Sequence, residues 1–407
     1  MKIKTFNHAL RPDPAIAEKL ACLPYDVMNA EEAAKMAQGN PVSFLHVERA
    51  EIDLPQGTDP YSAAVYEKSR ENFLKLQADK HLIRDSDNCV YLYQQQMGEH
   101  IQRGLTALCH VDDYNSNVIK KHEKTRLAKE NDRLTLNLTL GAHPGLVFLT
   151  VRDDERIDAL IAQTVKEKPL YDFVADDGIR HSAWRVCEHA ADWVKAFADI
   201  PVAYVADGHH RSAAAARVAD KKRAENPNHT GQEDYNYFPA VIFPASQLKV
   251  LPYNRSVADL NGRSTEEFLK ELGNISPLTQ TSSPDPETPG DVRVYIAGKW
   301  YQMTLTPAAD ADPVSRLDVS MLQERVLQPL LAIDDPRTSE RVDFIGGIRG
   351  TNELVKLVDS GKAAVAFSMY PVTIQQLMDI ADADQIMPPK STWFEPKLRS
   401  GLFVPTF

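Results

Sequence analysis

Asp207, Gly208, His209, His210 and Arg211 place a carboxylate, two imidazoles and a guanidinium within five consecutive residues. A guanidinium fork matches phosphate oxygens two at a time, and a glycine lets the backbone come close to a ligand. The turn follows an apolar run, Val202 to Ala206, and leads into Ala213, Ala214, Ala215 and Ala216. That order reads as strand, turn and helix. The first N–H groups of such a helix lack intrahelical partners and carry partial positive charge, which favours an anion. Gly208, His209, His210, Arg211 and Ser212 are therefore candidate phosphate ligands, and Asp207 a candidate for orienting a hydroxyl or a magnesium ion. Two other readings stay open. One is a zinc or iron site on Asp207, His209 and His210, although adjacent ligands on one turn suit a closed tetrahedral site poorly. The other is a helix cap with two surface histidines.

A second cluster runs over 119–133. Lys121, Lys124, Arg126, Lys129 and Arg133 make it the densest basic stretch of the chain, able to neutralise a polyphosphate or to form a solvated helix face. Within it, Glu123 follows His122 among cations, a setting in which a carboxylate can be tuned as a general base. A third stretch, Met387 to Phe394, has two prolines ahead of Lys390, Ser391 and Thr392, which offer a cation and two hydroxyls; Trp393 and Phe394 read as packing anchors. Arg349 sits on a glycine turn over 344–350 that could reach an anion. Pro24 to Val27 and Pro252 to Arg255 are weaker candidates of the same kind.

Elements must hold these groups. The patterns give a helix over 30–37 with Asn29 as N-cap, a strand over 42–47, a long amphipathic helix over 61–81, and strands over 90–96 and 104–111. A strand over 146–151 and helices over 154–166 and 191–198 precede the Asp207 turn, and an apolar strand over 237–243 follows it. The proline-rich stretch 276–290 reads as a loop or exposed connector. Strands over 292–296, 300–305 and 363–367 and helices over 319–331, 352–360 and 373–382 complete the chain. The alternation indicates an α/β (α+β), multi-domain protein. The expected segments are 1–105, N-terminal α/β; 106–245, holding the polar motifs; and 246–407, C-terminal α/β with a substrate loop.

At 407 residues the chain is too long for one ordinary core. Its net charge of −11 argues against nucleic-acid binding through broad electrostatics, so an anionic ligand needs a local basic cluster. Cys22, Cys89, Cys109 and Cys187 are scattered without a close pair and read as reduced buried thiols. No apolar leader follows Met1 and no apolar run reaches the ~20 residues of a membrane helix, so a cytoplasmic protein without a membrane partner is expected.

The strand, Asp-Gly-His-His-Arg turn and helix together resemble the phosphate-binding loop of the ParB and sulfiredoxin-like fold, and within it the kinases of free L-serine. Lys120 to Glu123 resembles those kinases' segment in which a glutamate after a histidine serves as base. Met387 to Thr392 resembles their C-terminal substrate loop, and the helix over 373–382 before it also fits. The chain further resembles a bacterial family long known only as a domain of unknown function, which carries the same His-Glu-Lys-Thr and Asp-Gly-His-His-Arg motifs. The resemblance implies a central ParB/sulfiredoxin-like domain over 106–245 and a phosphotransferase converting L-serine to O-phosphoserine, with Mg²⁺ and ATP, ADP or polyphosphate as donor. It implies Glu123, Asp207 and His209 as catalytic. It gives Lys124, Thr125 and Arg126 to the donor phosphates and Lys390, Ser391 and Thr392 to the acceptor, for which Arg349 on its glycine turn is a further candidate. A non-catalytic nucleotide-binding regulator and a metal-dependent hydrolase on His209 and His210 remain alternatives. L-serine and a nucleotide are the expected partners, and a homodimer is left open.

Overall fold

The structure, a computed structural model, describes residues 1–85 and 87–407. The chain forms two compact units, one of residues 1–248 with 396–407, the other of residues 249–395.

The first unit is built on a mixed sheet. Its strands run, side by side, Ile119–Lys120, Ala203–Asp207, Val147–Val151, Tyr237–Pro244, His100–His110, Val90–Met97, Arg180–Val186 and Tyr171–Val174, with Ile3–Lys4 pairing beside His100–His110. Val147–Val151 is buried at every position, as expected of a strand covered on both faces. One core on the sheet gathers Leu92, Leu105, Leu149, Val205 and Ile242 with Trp193 and Phe197 from the helix Ala190–Ala198. A second core gathers Leu20, Phe44, Leu45, Val47, Phe73 and Leu76 from the N-terminal helices. Asn29 caps the helix Ala30–Ala37 as expected, in a reciprocal box with Glu32. The long amphipathic helix spans Ala63–Ala78.

Three expectations change. The apolar run 42–47 is not a strand: it enters the helix Leu45–Glu48, with Phe44, Leu45 and Val47 buried in the second core. A short apolar run carries no period that separates a buried strand from a buried helical turn, and packing decides. The division expected at 105/106 falls inside the strand His100–His110, so residues on both sides of it share one sheet. The last residues return to the first unit, with bridges from Leu10 to Val404 and from Ala142 to Thr406. Third, Cys89 and Cys187 are joined in a disulfide across a sequence separation of 98. The strands Val90–Met97 and Arg180–Val186 are antiparallel with Val90 opposite Val186, so the residues just outside that pair meet. Cys22 and Cys109 are the free, buried thiols among the described residues.

The second unit is an antiparallel sheet in the order Thr279–Thr281, Lys299–Thr304, Asp291–Ile296, Val365–Met369, Tyr253–Val257 and Val342–Gly346. The helices Thr265–Ile275 and Ile374–Asp382 start on capping boxes, Ser264 with Glu267 and Thr373 with Gln376. The proline-rich stretch holds one short edge strand, Thr279–Thr281. Among the described residues, no helix is long and apolar enough to cross a membrane.

Candidate functional site

The two motifs of the first unit start from neighbouring strands. Ala203–Asp207 runs parallel to Ile119–Lys120, with Ala203 opposite Ile119 and Tyr204 opposite Lys120. Parallel neighbours release their following loops at the same edge of a sheet, so the Asp207 turn and the 121–126 segment emerge together. Loops at the carboxyl ends of strands are where open α/β sheets hold ligands.

Gly208 caps the helix His209–Glu225 with φ +96°, a left-handed conformation that suits glycine. A Cβ there would stand 3.2 Å from the Arg211 guanidinium. Ala214, Ala215 and Ala219 are buried along the helix, which small side chains let lie close to its neighbours.

The two segments are then tied together. His122 and His209 face each other through their Nε2 atoms at 3.4 Å, with ring centroids 4.5 Å apart and nearly perpendicular. The Arg126 N–H donates to His210 Nε2 at 3.0 Å, so His210 carries its proton on Nδ1 when neutral. Thr125 donates to Glu130, which pairs with Arg217 of the helix at 3.3 Å. Glu123 follows His122 directly; its side chain and that of Lys124 are exposed.

Burial dominates the histidines. It pushes His122 down to about 4 and His209 well below the ordinary range, and lowers His210. His122 and His209 are therefore neutral near pH 7. Among the described residues neither Nδ1 has a hydrogen-bond partner, although both are buried. Two buried ring nitrogens without partners at a turn are costly unless something else uses them.

Asp207 accepts from the Gly208 N–H at 2.7 Å and from Lys397 Nζ at 2.9 Å. Burial alone would raise its carboxyl, but Lys397 and Arg211 hold it well below the usual range. Arg211 is buried. Its Nη1 donates to the Leu146 carbonyl, and its Nη2 lies 3.6 Å from Asp207 and 3.8 Å from Asp26. Burial works against its charge, and Asp26 and Asp207 more than restore it. Its Nε is a further buried donor without a partner among the described residues.

Placement differs among the remaining expected residues. Ser212 is fully buried, and its hydroxyl donates to the Gly208 carbonyl at 3.1 Å, so it braces the turn. Arg126 has an exposed side chain. Lys390, Ser391, Thr392 and Arg349 belong to the second unit, where Lys390 and Arg349 are exposed and Ser391 is buried, donating to the Pro388 carbonyl at 2.6 Å. The three side chains of the metal reading do not gather as a metal set: among the described residues the one group of that kind is Asp87, Cys89 and Cys187, whose sulfurs form the disulfide. Asp207 can offer one carboxylate to Mg²⁺, which fits an ion held mainly by substrate phosphates.

Several residues escaped sequence reasoning. Lys397 lies 190 positions from its partner Asp207 and carries no motif. Asp26 was visible only as part of a weak Pro-Tyr-Asp string. Glu48 is buried and accepts from Arg133 Nη1 at 2.7 Å, while the Arg133 guanidinium lies 3.8 Å from the Tyr25 ring. Beside these groups a cavity of about 80 Å³ is lined by Tyr25, Glu48, Tyr66, Lys129, Asp132 and Arg133. Residues before 105 thus supply one wall of the site. At Gly145 an added Cβ would come within 3.2 Å of the Arg211 side chain, so this glycine clears room for it.

Comparison with known proteins gives a family. The family described as "Protein of unknown function (DUF1015)" matches residues 3–320, and the chain belongs to it. No curated protein matches. Solved structures similar to this chain include a conserved hypothetical protein from Pyrococcus furiosus, at 12% identity and TM-score 0.35 over 73% of this chain and 95% of that one. A free serine kinase in complex with AMP matches at 12% identity and TM-score 0.35 over 73% and 92%. SbnI with a C-terminal truncation, from Staphylococcus aureus, matches at 13% identity and TM-score 0.38 over 74% and 87%.

Proposed function

We propose that this member of the family is a phosphotransferase that moves a phosphoryl group from a nucleotide or polyphosphate to the hydroxyl of free L-serine. The observation that carries the reading is the junction of the two motifs: His122 against His209, and the Arg126 amide on His210. It sets Glu123 one residue from a group in contact with the glycine turn. The motif resemblance adds the chemistry.

Phosphoryl transfer asks a protein mainly for positioning and charge neutralisation. The turn amides after Gly208, the unfilled Arg211 Nε and the Nδ1–H of whichever of His122 and His209 accepts at Nε2 are donors of the kind a phosphate chain uses. Lys124 and Arg126 add exposed cations. Glu123 accepts the proton that the serine hydroxyl loses as its oxygen bonds to phosphorus. Asp207, ionised through Lys397 and Arg211, orients that hydroxyl or takes one position on Mg²⁺. Mg²⁺ when bound would neutralise charge on the transferring group.

The test is incubation with Mg²⁺, a panel of phosphate donors and L-serine, followed by assay for phosphoserine. Glu123→Gln should keep nucleotide affinity and lose roughly 10²–10⁴-fold in turnover, the usual worth of a general base; full turnover removes Glu123 from that role. Arg211→Ala should weaken nucleotide binding, and unchanged affinity moves the phosphate site elsewhere. Nucleotide binding with no phosphoserine from any donor would favour a regulator instead.

A further inference from the structure

Arginines more than nine-tenths buried are Arg133, Arg211, Arg255, Arg293 and Arg399 among the described residues. A buried guanidinium needs a counter-charge, because desolvation is not repaid otherwise. Arg133 has Glu48 and Asp132, and Arg211 has Asp26 and Asp207. Arg293 has Asp291, and Arg399 has Asp177. Arg255 stands apart: no carboxylate among the described residues is paired with it.

Its surroundings lie wholly in the second unit. Nη1 donates to the Tyr253 carbonyl, and Nη2 donates to the Lys390 carbonyl at 3.1 Å. The guanidinium carbon lies 5.3 Å from the Phe344 ring centroid. Backbone carbonyls and a ring face soften the charge without cancelling it, and burial still pulls Arg255 down to about 10. The neighbouring group is a second cation: Lys390 Nζ sits 5.4 Å over the Tyr253 ring. Lys390 also has φ +56°, a left-handed conformation uncommon for a residue with a side chain. Such strain collects at ligand clamps and switch positions.

We propose that Arg255 and Lys390 form a binding site for a small carboxylate, in which the guanidinium exchanges the Lys390 carbonyl for the oxygens of the ligand. A carboxylate matches the planar fork two bonds at a time, and it supplies the missing negative charge between two cations. The exposed Lys390 ammonium gives the ligand its first contact. The inference stands on the second unit alone; identifying the carboxylate as that of the phosphoryl acceptor rests on the phosphotransferase reading.

The experiment is calorimetric titration of the full chain, at constant ionic strength, with acetate, L-serine, serinol (which lacks the carboxylate) and inorganic phosphate. L-serine and acetate should bind and serinol should not. Arg255→Met should weaken carboxylate binding by roughly thirtyfold or more, the fold-change of losing a buried charged contact. Lys390→Ala, at an exposed position, should weaken it less and keeps the test alive if Arg255→Met fails to fold. Equal binding of serinol and L-serine, unchanged affinity in both variants, or a response to phosphate alone would each overturn the proposal. Carboxylate binding through Arg255 without phosphoserine formation would sink the kinase reading and leave this site standing. Phosphoserine formation with an unchanged KM for L-serine in Arg255→Met would do the reverse.

Discussion

His122 and His209 set a pH dependence of their own. An unfolded histidine takes up its proton near pH 6.5, whereas folded His122, pushed down by burial, waits until about 4. The unfolded chain therefore binds more protons across that window, and stability falls as the pH drops from about 6.5 to 4. One such group is worth about 3 kcal/mol over the window at 1.36 kcal/mol per pKa unit. His122→Gln should flatten this part of the profile, read as denaturation midpoint against pH, and a profile of unchanged slope would show that His122 is not held neutral. The same pair shows what the sequence could reveal at this scale. The Asp207 turn was legible because its chemistry is contiguous. The partnership of His122 with His209, and the counter-charges from Asp26 and Lys397, depend on residues the fold brings together from distant positions.

The helix His209–Glu225 and the strand before it show what one backbone position does for an element. Gly208 has φ +96°, and a methyl group there would press on Arg211. Gly208→Ala should cost roughly 1–2 kcal/mol for the left-handed backbone and tilt Arg211 away from Asp26 and Asp207. Thermal unfolding should then drop together with nucleotide affinity. A variant with native affinity would mean that the turn does not shape the anion site. Elements with a strong period or cap were legible: the helix after Asn29, the Ala63–Ala78 helix and the buried strand Val147–Val151. The run at 42–47 was not, because its helical turn is chosen by Phe44 and Val47 reaching the second core.

At the scale of the molecule, strand order decides which distant residues meet. Cys89 and Cys187 follow from the pairing of Val90 with Val186, which the spacing of cysteines could not reveal. Thiol titration of the denatured, unreduced chain should count two thiols, Cys22 and Cys109, out of the four cysteines present. Reduction should cost roughly 2–5 kcal/mol of stability, the usual range for a native disulfide. Four reactive thiols in freshly purified, unreduced protein would refute the link. The return of residues 396–407 to the first unit was equally hidden, since in sequence they are separated from the rest of it by the whole of the second unit. It also has a bearing on biosynthesis. Asp207 leaves the ribosome 190 residues ahead of the lysine that neutralises it. Until Lys397 is translated, Asp207 of the nascent first unit has Arg211 as a counter-charge but lacks its second cation, so the final charge balance of that pocket is timed by completion of the chain's later part.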